Sequence, residues 1–183
     1  FTNNLTRLDK VLQLHKNSIE SANEIMTYFN KDVGGIPEAK FDSLQFHIQN
    51  VWTFNPRKGL LNSVITSGQI NIISNVELKT QLASFDDMIN DMDQEIQEIS
   101  LLGTQFYSTT NFYINIGKQN ALGYKTFVNE GFQSDYKRFF KDIRVYNYIN
   151  NETTWSYDLL EEEIEIMQSI KRILELITEE LNK

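Results

Sequence analysis

The sequence predicts an all-α protein: an elongated antiparallel bundle of three long helices, with short helices at one end. Three observations predict it. Apolar residues recur at alternating spacings of three and four along most of the chain. Only two prolines and eight glycines punctuate 183 residues, so long stretches run without a helix breaker. The composition, 40% hydrophobic and 23% charged, is that of an ordinary globular protein able to bury a substantial core as a single domain, 1–183.

The first thirty residues carry the stripe Leu5, Leu8, Leu12, His15, Ile19, Ala22, Met26 and Phe29, with Asn4, Arg7, Lys10 and Glu20 on other faces. "DVGGIP" at 32–37 ends this helix, two glycines supplying the stop and Pro37 opening the next element. A second helix is expected over Glu38–Trp52 on the stripe Phe41, Leu44, Ile48 and Val51. "TFNPR" breaks it, because proline disfavours a helical Asn55 before it. "KGLLNSVITSG" reads as a short helix stopped by Gly68. The run Ile70-Asn71-Ile72-Ile73 looks like a strand but has no partner. It is expected as an extended connector with Ile70, Ile72 and Ile73 tucked into the bundle.

Ser74-Asn75-Val76-Glu77 reads as a capping box, Ser74 as N-cap and Glu77 three residues on, with Ile73 and Leu78 as a hydrophobic staple. The long helix it opens carries Leu78, Leu82, Phe85, Ile89, Met92, Ile96, Ile99, Gly103 and Phe106, and is expected to reach about Ile116. Gly117, Gly123 and Gly131 mark a less regular segment over 117–134. A last helix is expected from Ser134 to Asn182, continuous through the polar "NNETT" at 150–154. Its clearest stripe is Leu160, Ile164, Met167, Ile170, Leu174, Ile177 and Leu181.

The formal charge of -8 argues against nucleic-acid backbones and anionic membrane surfaces as partners. Without cysteine there is no disulfide, thiolate metal site or cysteine nucleophile. No stretch approaches the ~20 apolar residues of a membrane span. The chain opens on Phe1 rather than Met, so it is expected to be a piece of a longer protein whose targeting or anchoring segment lies upstream.

Catalytic signatures are missing from the sequence. There is no nucleophile elbow, P-loop or dinucleotide fingerprint, and no cofactor is expected. His15 falls in a core stripe, where a histidine hydrogen-bonded inside the bundle is the plainer account than a ligand or pH switch. His15 and His47 lie on different helices without the Glu-x-x-His spacing of bundle metal sites, so no metal is expected. The acidic runs "DDMINDMDQEIQE" at 86–98 and "EEEIE" at 161–165 read as solvated helix faces. Asn4-Leu5-Thr6 and Asn151-Glu152-Thr153 match a glycosylation sequon too short to carry weight.

One bias stands out. Fourteen of the 22 aromatic residues fall between Phe106 and Tyr157. The candidate ligand or partner surface is therefore Tyr107, Tyr113, Tyr124, Tyr136, Tyr146 and Trp155, with thick core packing as the alternative.

The stretch "FNPRKGLLNSVITSGQINIISNVELKTQLASF" at 54–85 resembles an uncharacterised Bacteroidota family of single-pass membrane proteins. Members carry an "FNP…SG.L..I.N..L" motif, matched here by Phe54, Asn55, Pro56, Ser67, Gly68, Ile73, Asn75 and Leu78, while Leu60-Leu61-Asn62 stands where an aromatic is expected. The resemblance implies a membrane helix upstream of Phe1 and a periplasmic helical domain; it implies no activity. The expected function is a non-enzymatic sensor-like or protein-binding domain whose partner is a protein or small ligand. The alternative is a structural module that homodimerises along a helix face.

Overall fold

The computed structural model describes residues 1–29, 31, 36–50 and 52–182. It is all-helical, without strands among the described residues. Gly34, Gly35 and Val51, assigned above to a stop and a stripe, lie outside the described residues.

The opening stripe forms α1 (Thr2–Met26), whose buried face comprises Leu8, Leu12, His15, Ile19, Ala22 and Ile25 together with Asn4, Ser18 and Ser21. Pro37 then starts α2 (Glu38–Gln49), its carbonyl accepting from the amides of Lys40 and Phe41. The chain leaves α2 at Asn50 in an extended conformation and stays irregular through 52–58.

That irregular stretch is anchored by α1. The Asn4 side chain receives the Arg57 amide at 2.9 Å and donates to the Arg57 carbonyl at 3.2 Å. His15 Nε2 meets the Trp52 carbonyl at 2.9 Å. Asn4 and His15 stand three helical turns apart, about 16 Å, which is the span of five extended residues. Two core-facing polar side chains of α1 thus supply the partners that a neighbouring strand would otherwise give the backbone. The Glu24–Lys40 ion pair sets the same antiparallel direction for α2.

Helix α3 (Gly59–Thr66) ends at Gly68, which takes a left-handed φ of 74°. Lacking Cβ, glycine adopts this conformation without steric cost. Residues 69–73 depart from the expected extended connector: Gln69–Ile72 forms a 3-10 turn. Ile70 and Ile73 pack on the core, whereas Ile72 is 83% exposed because the turn points it outward.

The next helix, α4 (Val76–Thr110), begins one residue later than the capping box implied. Asn75 is the N-cap and accepts from the Leu78 amide at 3.0 Å, while the Ser74 and Asn75 amides donate to Glu180. It stops at Thr110, not Ile116, where the chain turns over Asn111–Tyr113 into α5 (Ile116–Asn120). The expected 134–182 helix is divided. A turn of helix, α6 (Tyr136–Phe139), precedes α7 (Ile143–Leu181), because Asp142 caps a new N-terminus by accepting from the Arg144 amide. Continuity through "NNETT" holds.

Helices α4 and α7 form the most extensive pair. Their antiparallel direction follows from Arg172–Glu77, Ser169–Gln81 and the stacked rings of Phe106 and Tyr148. Helix α1 is antiparallel to α7 as well, with His15 against Glu163, Asn23 against Tyr157 and Phe29 against Tyr146.

The face that α7 buries is turned from the expected stripe. It runs Glu152, Ser156, Leu159, Glu163, Ile166, Ile170, Ile173 and Leu176, while Ile164 and Leu181 are exposed. The "EEEIE" run is accordingly not wholly a solvated face: Glu163 is fully buried. Short helical elements flank both ends of the long helices instead of one. Helix α3 joins a core cluster with Leu8, Leu78 and Ile173, whereas α5 and α6 join one with Ile25, Phe106 and Ile149.

Candidate functional site

A polar layer lies where the two apolar clusters meet. From α1 come His15 and Ser18, from α7 Glu152, Ser156 and Glu163, from the exit of α2 Asn50, and from α4 the apolar lid Ile99. His15, Ser18, Asn50, Ile99, Glu152, Ser156 and Leu159 enclose a cavity of about 10 Å³, the scale of one water. The layer is too small and too closed for a metabolite.

The centre of the layer is the pair His15–Glu163, with Nδ1 2.8 Å from Oε2. His15 Nε2 faces a carbonyl oxygen, which can only accept, so Nε2 carries a hydrogen. Nδ1 then faces a carboxyl oxygen and must either donate to a carboxylate or accept from a carboxylic acid. Both arrangements leave one ionisable proton on the pair and no net charge. Among the described residues, the remaining oxygen of Glu163, Oε1, has no hydrogen-bond partner, nor does Oε2 of Glu152. Burial pushes the Glu152 carboxyl up to about 8, so it is a neutral acid at neutral pH. Among the described residues, no three histidine, aspartate or glutamate side chains come together as a metal site.

The aromatic residues form a second feature. Phe29, Phe41, Phe139 and Phe140 meet edge-to-face at 5.0–5.6 Å, and Tyr136 lies against Phe41 at 4.4 Å. Tyr146 packs on Phe29 at 5.3 Å. Tyr113 is buried beside this cluster, and its hydroxyl donates to Asp142 at 2.8 Å. The Arg144 guanidinium holds the Asp142 carboxyl well below the usual range, aided by Tyr113. Burial raises the Tyr136 hydroxyl and the buried Tyr148 hydroxyl above the normal phenol range.

The six aromatic residues singled out from the sequence therefore do not share one pocket. Tyr113, Tyr136 and Tyr146 line the same aromatic core. Tyr107 and Tyr124 are exposed, Tyr124 donating to Asn50 at 3.2 Å, and Trp155 packs on the other cluster. Exposed aromatic area comes from Phe112, Phe127 and Phe132. A shallow groove runs beside them, lined by Asn111–Ile116, Phe132 and Gln133. A second groove lies between Phe29, Phe140, Lys141 and Tyr146.

The motif residues carry structure. Phe54 and Leu78 are core, Gly68 and Asn75 end and begin helices, and Ile73 packs on the core. Asn55, with its amide on Thr53, is exposed, as is Ser67, and Pro56 is half-buried. Of the sequon asparagines, Asn4 is buried on Arg57 and Asn151 is exposed within α7. His47 sits against Phe46 on α2.

No protein-family model, curated protein or solved structure matches this chain. No helix among the described residues is long and apolar enough to cross a membrane.

Sequence reasoning missed Glu152 and Glu163 as a pair of buried carboxylates. The signal available was register: both fall on the face shared by Leu159, Ile166 and Ile170, once the stripe is centred one residue earlier.

Proposed function

We propose that the chain is a non-enzymatic, sensor-like or protein-binding helical domain, held in the periplasm by a membrane helix upstream of Phe1 and related to the family its 54–85 motif resembles. One observation supports this reading best. Helices α1 and α7 run antiparallel between the end carrying Phe1 and the aromatic end, so a displacement at one end is carried by two unbroken helices. The architecture belonging to this reading is an elongated antiparallel bundle built on α1, α4 and α7. Partner binding is assigned to the aromatic end, where open grooves and exposed Phe112 and Phe132 suit a protein segment better than an enclosed small molecule. The absence of an enzymatic role is supported by burial: the His15–Glu163 pair is almost wholly buried, and the cavity beside it, of about 10 Å³, is the scale of one water.

The full-length sequence and a topology reporter fused after Leu181 test the reading. The expected result is an apolar span upstream of Phe1 and a reporter active only outside the cytoplasm. A full-length chain without that span, or a reporter active inside, overturns it.

A second reading, a structural module that homodimerises along a helix face, is favoured by Leu60, Ile72 and Val76, exposed on successive elements. It requires a concentration-dependent dimer in sedimentation that Ile72→Glu abolishes.

A further inference from the structure

We propose that His15, Glu152 and Glu163 form a buried proton-binding site whose occupancy sets how firmly α1 and the Trp52 segment are held on α7. The site stands on side-chain geometry and does not depend on the sensor reading.

The geometry fixes the proton count. With Nε2–H on the Trp52 carbonyl and Nδ1 against Glu163, the pair holds one proton in either arrangement. Losing it would set a bare ring nitrogen against a fully buried carboxylate 2.8 Å away, and that carboxylate already has one oxygen without a partner among the described residues. Glu152 holds a second proton, because its ionised form would be buried beside a cavity of about 10 Å³ with Oε2 unpartnered among the described residues.

The groups around the site do not substitute for these protons. From α1 and the α2 exit the neighbours are Ser18, Asn50 and the Trp52 carbonyl, all neutral. From α4 comes Ile99. The phenol of Tyr148, coupled to Glu152 and to Tyr107, stays protonated. A competing acid on the same helix is Glu162, which burial and the charges of Glu95 and Asp91 push up to about 7.

In the unfolded chain glutamates ionise near pH 4.3 and histidine loses its proton near 6.5. If the His15–Glu163 contact and the Glu152 site keep their protons as the geometry demands, the folded protein above about pH 7 holds protons that the unfolded chain has released, and stability falls as pH rises. Glu162 is only half titrated at about pH 7 and releases the rest of its proton as pH rises, so every protein compared, the reference included, carries Glu162→Gln, and the interval from about pH 7 to about pH 8.5 then isolates the three residues.

The test is chemical denaturation of the Glu162→Gln reference, and of the same protein with Glu152→Gln, Glu163→Gln or both added, at those two pH values. Glu163→Gln is expected to fold, since a glutamine amide can donate to Nδ1 while Nε2–H keeps the Trp52 carbonyl. The folding equilibrium constant of the reference should drop more than about tenfold. With either change added it should drop less, and with both it should stay flat. A reference with unchanged or rising stability overturns the proposal, as does a protein with both changes that keeps the reference's fall. Ring nitrogen shifts of His15 in the folded wild type decide the matter even if a variant fails to fold. Nε2–H, with Nδ1 either protonated or accepting, is expected; a neutral Nδ1–H ring overturns the shared proton.

Discussion

His15 and Glu163 touch at 2.8 Å across 148 residues of sequence, both almost wholly buried. A buried pair of this kind is conditional: each partner is tolerable only because the other is there. Glu163→Ala leaves the imidazole without its carboxyl, and His15→Ala strands the acid beside an unpaired Trp52 carbonyl. Either single change is expected to cost about 3–5 kcal/mol. His15→Leu combined with Glu163→Met removes both polar groups at similar volume and should lie much nearer the wild type. Denaturant titration of the wild type, His15→Leu, Glu163→Met and the two combined measures the coupling, and additive losses would refute it.

Two aspartates should give stability opposite pH dependences. Burial pushes Asp42 up to about 6, with the charge of Glu38 adding and Lys118 opposing. The folded state thus keeps a proton that the unfolded chain releases near pH 4, so this contribution falls between about pH 4 and about pH 6. Asp142 is held below its usual range by Arg144 and Tyr113, so its contribution is present above about pH 4 and lost as the solution is acidified further. Thermal midpoints against pH should therefore lose their decline over pH 4–6 in Asp42→Asn and soften on the acid side in Asp142→Asn.

The aromatic-rich half contains residues of unequal weight. Phe106 is 1% exposed and stacks on Tyr148 at 4.2 Å. Phe106→Ala should cost about 3–5 kcal/mol, by lost burial and the cavity left behind. Phe112, 82% exposed, should tolerate Ala within about 0.5 kcal/mol. If partner binding resides at this end, Phe112→Ala lowers affinity at unchanged stability, and a stability scan alongside a binding assay separates the two roles.

The legible part of this fold is the part governed by a single rule. Leu8, Leu12, Ile19 and Ala22, or Leu82, Phe85, Ile89 and Met92, are apolar residues at helical spacing that pack where the spacing says. Helix α7 obeys two rules at once. It buries one side on α1 and the other on α4, and it carries Glu152, Ser156 and Glu163 inside. Reading apolar residues alone drew the stripe through Ile164 and Leu181, one position round from the true face. The Phe140–Asp142 break escaped because a lone aspartate ahead of Ile143 is a weak signal until its side chain is seen on the Arg144 amide. The aromatic bias marked a real concentration, but its division into buried core and exposed Phe112, Phe127 and Phe132 depends on loops of 111–135 that periodicity does not specify.

The junction between α3 and α4 rests on two residues with separable roles. Gly68→Ala forces a Cβ into a left-handed φ of 74° and should cost about 1 kcal/mol. Asn75→Ala removes the acceptor of the Leu78 amide and should also cost about 1 kcal/mol, whereas Asn75→Asp keeps that acceptor and should be nearly neutral. Denaturation midpoints check all three, and a neutral Asn75→Ala would return the cap to Ser74.

The irregular 52–58 stretch should owe its conformation to α1. Asn4 both donates to and accepts from the Arg57 backbone. Asn4→Asp keeps the acceptor for the Arg57 amide but sets a carboxylate oxygen against the Arg57 carbonyl, while Asn4→Leu leaves both part-buried backbone groups without this partner. The expected order of stability is Asn, then Asp, then Leu, with the leucine variant lower by about 1–3 kcal/mol. Hydrogen exchange gives a local readout: the Arg57 amide should exchange faster in Asn4→Leu, while amides in the α4–α7 pair stay protected as long as global stability exceeds the local opening. If the Arg57 amide keeps its protection in that variant, the segment is held by Phe54 burial alone and α1 is not its partner.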